Sequence, residues 1–383
     1  MDLAAQAGIY LHVPFCRRKC PYCSFFSIVP QAGDIRRYVE TVRLQMRQLA
    51  AVPEIQALRF ATVFFGGGTP SLLPPEALAT LLADCRAVFP FATEQPEITI
   101  EVNPGTIDPT GLRQLNRAGC NRLSIGIQSL DDRELHQLGR IHTADEALAI
   151  LAAAREAGFE NCSADLMYGL PGQTVNSWQR GLERILAAGI DHCSLYELTV
   201  EEHTPFARQL AQRQWTLPPE DEVLAMMTAI DRTVGRHGLH RYEISNYALP
   251  GLECAHNRNY WQNGWYLGLG PGAVAAFGGQ RRTAVADLAA YCHWIATGQT
   301  VWQTTERLDA EAAFRETVIM GLRLLAGVSI SALAQRFAIH LPTYYGPTLS
   351  RLLDQGLVIL EHDRLRLSPT GLPLANRVMA ELV

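Results

Sequence analysis

The sequence predicts an α/β protein, a partial barrel of six β/α units followed by a small α+β module. Three observations predict it. Short apolar runs of strand type alternate with longer runs of helical spacing up to about residue 200, the pattern of a parallel sheet with crossover helices. The residues able to do chemistry fall where these strands end, and in such sheets reactive groups gather at the C-terminal strand ends. The first strand end leads into Cys16-Arg-Arg-Lys-Cys20-Pro-Tyr-Cys23, a loop that carries three closely spaced thiols.

The elements follow in order. Strands are expected at 9–13, 62–65, 97–102, 121–127, 161–167 and 191–198, and helices between them at 35–51, 75–88, 110–118, 144–157 and 175–188. The strand runs are nearly continuous in apolar residues, as a sheet covered on both faces requires. Six units fall short of the eight of a closed barrel. A further helix is expected at 220–238, after Pro218 and Pro219. Near the end, 312–325, 330–337 and 343–355 have helical spacing, and 357–360 with 365–367 reads as a hairpin. This module resembles a winged helix. Arg336 and Arg351 would be its DNA contacts, but it has no dense basic stripe, and a structural or substrate-covering role is expected instead. The chain is thus divided into a barrel (1–200), an extension (201–308) and the C-terminal module (309–383).

Composition sets bounds. Hydrophobic residues make up 48% and charged residues 19% of 383, with a net charge of −5, so no basic field for nucleic acid exists and no nucleic-acid partner is expected. No apolar run is long enough to span a bilayer. The first eight residues are too few and too acidic for a signal peptide, and a cytoplasmic location is the expectation. Nine cysteines in a reducing compartment favour a metal over disulfides.

The spacing C-x3-C-x2-C lets three sulfurs converge on one centre. A structural zinc site usually takes four ligands in two close pairs, and no second C-x2-C pair is present. A [4Fe-4S] cluster takes four thiolates; three would leave one iron open to a small molecule. Zinc with a distant fourth ligand and cysteines close by chance stay as the alternatives.

This motif, with Tyr22 before the third cysteine, resembles that of the radical S-adenosylmethionine (SAM) superfamily. The rest of the chain is similar to its oxygen-independent coproporphyrinogen III oxidase group, which holds true oxidases (HemN) and haem chaperones (HemW). The resemblance implies a radical SAM barrel with Cys16, Cys20 and Cys23 on the cluster. It places SAM on Gly68 and Thr69 of a glycine-rich loop, on Glu101 at the end of strand three, and on Gln128 and Arg140. Asp165 would hold the ribose and Thr199 the adenosyl part, with Tyr10 and Tyr22 as further contacts. It also implies an electron donor such as flavodoxin or ferredoxin.

A second constellation lies at 241–272, rich in aromatic residues and glycine. Its chemistry fits equally a hydrophobic cap on the open barrel and a pocket for a flat ligand such as a porphyrin. The resemblance points to the second. His256, Asn257, Tyr260 and Trp261 match the H-N-x-x-Y-W signature of the haem chaperones and become haem candidates. Phe25 stands where the oxidases have a further cysteine, and eight residues precede Ile9 where the oxidases are expected to carry a long N-terminal arm. One departure is clear: chaperones usually read Gly-Ala-His-Ser where this chain has Gly272-Ala273-Val274-Ala275, and Val274 instead suits the adenosine pocket. The expected function is therefore a haem chaperone that binds a cluster, SAM and haem and hands haem to an acceptor protein. An anaerobic coproporphyrinogen III oxidase is the alternative, and a DNA-binding regulator a distant third.

Overall fold

The computed structural model describes residues 6–383, so the leader reading rests mostly on residues outside that range. Six parallel strands lie in chain order: β1 (Ala7–Val13), β2 (Phe60–Gly67), β3 (Glu97–Val102), β4 (Arg122–Gln128), β5 (Cys162–Tyr168) and β6 (His192–Glu197). Alternation along β1 explains the layering. Ile9, Leu11 and Val13 are fully buried in one core with Tyr38, Val42 and Met46 of helix Asp34–Ala50. Gly8, Tyr10 and His12 face the other way. Tyr10 stacks on Phe64 with ring centroids 6.2 Å apart, and this inner face forms the barrel's interior. Two of the crossover helices start at hydroxyl caps: Thr143 and Thr174 each close a reciprocal capping box, which fixes where those strand exits turn back.

The sheet is wider than the sequence suggests, with twelve strands where six were expected. On one edge β6 pairs antiparallel with β8 (Asn246–Ala248), which pairs with β7 (His240–Arg241). On the other, β9 (Trp265–Leu269) runs parallel to β1, followed by antiparallel β10 (Val274–Phe277), β11 (Gln280–Ala284) and β12 (Trp302–Arg307). These added strands are short or rich in Gly and Arg, so they lack the apolar signal that marks the first six. The first apolar core extends from Ala7 to Val301.

The C-terminal module has its own core, built from Phe314, Val318, Leu349 and Leu365 among others. Helices Ala310–Gly321, Ile330–Phe337 and Leu341–Asp354 pack on a small antiparallel sheet of β13 (Val328–Ser329), β14 (Val358–Glu361) and β15 (Arg364–Leu367) in the order β13-β15-β14. Arg336 donates to the Asn263 carbonyl at 3.4 Å, and Arg351 pairs with Glu381 at 2.9 Å. No helix among the described residues is long and apolar enough to cross a membrane.

Candidate functional site

A cavity of about 540 Å³ opens at the C-terminal ends of the six parallel strands. Ten of the predicted site residues line it: Cys16, Cys20 and Cys23; Tyr22, Gly68, Thr69, Glu101, Gln128 and Arg140; and Asp165. Thr199 also lines it, at the exposed rim. Tyr10 and Val274 do not. Tyr10 sits behind Glu101, with its hydroxyl 3.2 Å from His12 Nδ1. Val274 lies on β10, and its backbone packs so closely on Gly268 that a Cβ there would meet the Val274 carbonyl at 2.0 Å.

The cysteine loop is pinned by backbone bonds. The Cys16 amide donates to Ile28 O at 2.9 Å, and the Ile28 amide to Pro14 O at 2.7 Å. The Gly68 amide donates to Val13 O and the Thr69 amide to Phe15 O, at 2.8 and 2.7 Å. Glycine is required at 68 by this approach, because a Cβ would lie 2.6 Å from Phe15 O. Both amides are therefore engaged within the protein, and Thr69 O accepts from the Leu72 amide at 3.0 Å, so the Gly68 carbonyl is what this loop turns to a ligand. Among the described residues no three His, Cys, Asp or Glu side chains stand as a preformed metal-ligand set. The three thiols share a wall of the cavity without being drawn together. Burial pushes the Cys23 thiol pKa up.

Across from the loop, Arg140 is held in place from several sides. Its Nη2 donates to Gly126 O and to Asn103 Oδ1, each at 2.5 Å, and its Nη1 lies 3.9 Å from Cys20 Sγ. Its buried Nε has no partner. Asn103 Nδ2 in turn donates to Thr69 Oγ1 at 2.8 Å, and that oxygen lies 3.7 Å from Cys16 Sγ. Asn103 thus ties the arginine to the cysteine loop, a role that sequence reasoning missed. The signal was present in Asn103-Pro104 at the end of β3. Gln128 has φ 69°, an unusual value for a residue other than glycine, and the ladder shifts register between Gly126 and Gln128. Such a bulge re-aims a side chain at a sheet rim.

Two carboxylates face the cavity from below. Glu101 accepts from the Gly67 amide at 3.2 Å. Asp165 accepts from Ser124 Oγ at 3.1 Å and Ser163 Oγ at 3.4 Å. None of these partners is charged. Burial, reinforced by the charge of Asp165, pushes Glu101 up to about 8, and burial also raises Asp165. His142, beside Arg140 in the lining, is pushed down to about 4 by burial and by the Arg140 charge.

The haem candidates lie elsewhere. Helix Ala255–Trp261 packs against β1 and β2 near the N-terminal half of the strands, close to Gly8 and Thr62. The His256 ring is buried in the barrel interior, with Thr62 Oγ1 2.7 Å from Nδ1 and Tyr260 Oη 3.1 Å from Nε2. Phe64 stacks on it at 5.1 Å. Burial lowers its pKa to about 3, so the imidazole is neutral. Glu97, the first residue of β3, accepts from the Ala255 and His256 amides at 2.8 and 3.0 Å and so caps the helix. Trp261 is half-buried under the Arg323 guanidinium, 4.3 Å from its ring centroid, and Asn257 is half-buried. The segment closes the lower end of the barrel, the capping role that composition alone allowed. In this arrangement neither nitrogen of His256 is free to meet an iron.

A profile of the radical SAM superfamily matches residues 10–185, and one of the HemN C-terminal domain matches residues 308–374. Barrel, cysteine loop and C-terminal module therefore define a radical SAM protein. The chain is 34% identical over 369 residues to "Heme chaperone HemW" of Bacillus subtilis, covering 96% of this chain and 97% of that protein. It is 37% identical over 397 residues to the Mus musculus "Radical S-adenosyl methionine domain-containing protein 1, mitochondrial", covering 99% and 88%. The solved coproporphyrinogen III oxidase HemN of Escherichia coli superposes with a TM-score of 0.85 over 99% of this chain and 90% of its own, at 24% identity. That last likeness speaks for the fold. The chain belongs to the HemW-type group of the radical SAM superfamily.

Proposed function

We propose that this protein is a haem chaperone that holds a [4Fe-4S] cluster and SAM in the upper cavity, takes up haem and passes it to an acceptor protein. A flavodoxin or ferredoxin would reduce it. The carrying observation is the composition of that cavity, which places three thiols on one wall and, on the other, two buried carboxylates whose hydrogen-bond partners are all neutral. Buried acids of this kind are costly until a cation arrives, and SAM brings two positive groups, its ammonium and its sulfonium. The residues present thus fit both groups.

On this reading Cys16, Cys20 and Cys23 ligate the cluster, and the loop tightens around it as it binds. When bound, the cluster and SAM together supply one-electron reduction of the sulfonium. The chain's own residues orient and shield. Glu101 and the carbonyl of Gly68 would accept hydrogen bonds from the ammonium group, with Thr69 beside them on the loop. Arg140 aims its unpartnered Nε–H at the carboxylate, held in position by Asn103 and Gly126. Asp165 takes the ribose hydroxyls, while Gln128 and Thr199 border the adenosyl part. Tyr22 closes the loop side. Tyr10 supports Glu101 from behind, and Val274 backs the sheet edge.

The test is anaerobic. The reconstituted protein is titrated separately with haem and with coproporphyrinogen III, followed by absorbance and product mass. Stoichiometric haem uptake with no loss of carboxyl groups from the porphyrinogen is expected. Conversion of coproporphyrinogen III to protoporphyrinogen IX with consumption of SAM would make the protein an oxidase, and the chaperone reading would fall.

A further inference from the structure

The described residues expose seven large apolar side chains, and three of them gather at one place. Phe25, Ile141 and Tyr196 are 66%, 54% and 42% exposed and all three line the upper cavity, the Tyr196 ring with its hydroxyl reaching down toward Ser194 and Asp165. They come from the cysteine loop, the segment after Arg140 and the end of β6, parts of the chain with no common local reason to be apolar. Isolated exposed apolar residues are ordinary, but a ring of them around a cavity marks a binding surface. The cavity therefore has two zones: a polar floor of Glu101, Asp165, Gln128 and Arg140, and an apolar, partly aromatic rim.

The rim is also charged asymmetrically. Arg17 and Arg18 line it on the cysteine-loop side and are exposed. Arg17 contacts a backbone carbonyl there, donating to Gly105 O at 2.8 Å. Glu197 and Glu201 line it at the β6 end. A flat apolar ligand with carboxylates along one edge matches this pattern in one orientation.

We infer that this rim is the haem seat: the macrocycle lies across Phe25, Ile141 and Tyr196 at the cavity mouth, with its propionates turned to Arg17 and Arg18. The inference rests on the chaperone reading and locates its cargo. Aromatic rings stack on the macrocycle face, and guanidinium groups pair with carboxylates through two parallel hydrogen bonds. The acidic end of the rim repels the propionates and so fixes the orientation. Haem bound here sits directly above the groups in the floor, and the helix carrying His256 stays a closed structural cap.

The test uses the cluster-loaded full chain with SAM, and titrates haem and, separately, haem with esterified propionates. Phe25→Glu and Ile141→Glu alter exposed side chains; circular dichroism melting and cluster absorbance confirm that each variant is folded and loaded. Each is expected to weaken haem binding by about tenfold or more. The double variant Arg17→Glu with Arg18→Glu is expected to weaken haem by about tenfold and the ester by less than about twofold. Wild-type haem affinity in folded, loaded rim variants would overturn the seat while leaving the chaperone reading in place. So would loss of uptake in a folded His256→Gln variant with the rim variants unaffected. A wild-type protein that takes up no haem would sink the chaperone reading, and the seat with it.

Discussion

The two ends of the barrel are built from the same strands and differ in what completes them. At the lower end the protein supplies its own partners. His256 has a partner at each ring nitrogen, and Glu97 caps the helix that carries it. At the upper end the protein leaves groups waiting: Arg140 Nε is buried without a partner, and Glu101 and Asp165 have only neutral ones. Burial is common to both ends. Unpartnered atoms are not confined to the upper end, since Trp261 Nε1 and Arg323 Nε are buried without a partner as well; what separates the ends is that the lower one is closed by side chains, whereas the unpartnered Arg140 Nε and the two carboxylates border an open cavity. Arg122, fully buried between the ends, adds its charge to both: it adds to the fall that burial causes at His256 and offsets part of the rise that burial causes at Asp165 and Glu101.

The sharpest separation of the two ends is a change that empties one and spares the other. Cys20→Ala removes one of the three proposed ligands, and loss of the cluster's visible absorbance and of its iron after anaerobic reconstitution is expected to be complete. The loop is at the surface and its anchors are backbone bonds, so the apoprotein's melting temperature is expected to stay within about 2 °C of wild type. A large fall in apoprotein stability would show that the loop is part of the fold's support, and the contrast between the ends would fail.

At the lower end the corresponding change costs stability and no cofactor. Glu97→Ala strips two amides and the Cys254 thiol of their acceptor and takes a negative charge from the surroundings of buried Arg122. Roughly 2–4 kcal/mol of destabilisation is expected from denaturant unfolding, with Glu97→Gln, which keeps an acceptor oxygen, losing less. Equal cluster loading in the folded Ala variant would complete the contrast.

Glu97 also shows where sequence reading stops. The six parallel strands were legible because each is a nearly unbroken apolar run, and the cysteine loop, Glu101 and Asp165 because each sits at or near such a strand's end; Arg140, which follows a further helix after β4, was named only through the family resemblance. Helix Ala255–Trp261 was not, since it is short and its cap is a carboxylate 158 residues away in the chain. A cap of that kind leaves no local signature. The same distance hid the surroundings of His256: the aromatic cluster fitted a cap and a pocket equally in sequence, and only in space does the ring lie between Thr62 and Tyr260. Strands β7 to β12 were hidden because edge pairing, and not their own composition, makes them strands.

The pH dependence of SAM binding probes the unsatisfied end. The folded apoprotein holds Glu101 protonated up to about 8, above its unfolded value, so the stability it contributes is present in full at low pH and lost as pH rises through about 8. A bound cation reverses this preference. SAM affinity is therefore expected to climb by up to about tenfold per pH unit as pH approaches 8 and to level off above it. Glu101→Gln is expected to weaken binding and flatten the slope. Calorimetry in buffers of different ionisation enthalpy would detect the proton released on binding; no release near pH 7 would mean that the carboxylate is already ionised or does not meet the ligand.

The smallest change examines whether the hydrogen bonds of His256 are structural. Tyr260→Phe deletes the hydroxyl 3.1 Å from His256 Nε2 and leaves the ring that packs edge-on against the imidazole at 4.8 Å. About 1 kcal/mol of stability is expected to be lost, the net worth of one buried hydrogen bond whose partner is left without a mate. The other ring nitrogen keeps Thr62, so the imidazole should hold its place. If haem uptake by the folded variant matches wild type, the hydroxyl and the histidine act as structure. If uptake collapses while stability hardly moves, the lower end opens to admit a ligand, and the difference between the two ends is one of conformation and not of design.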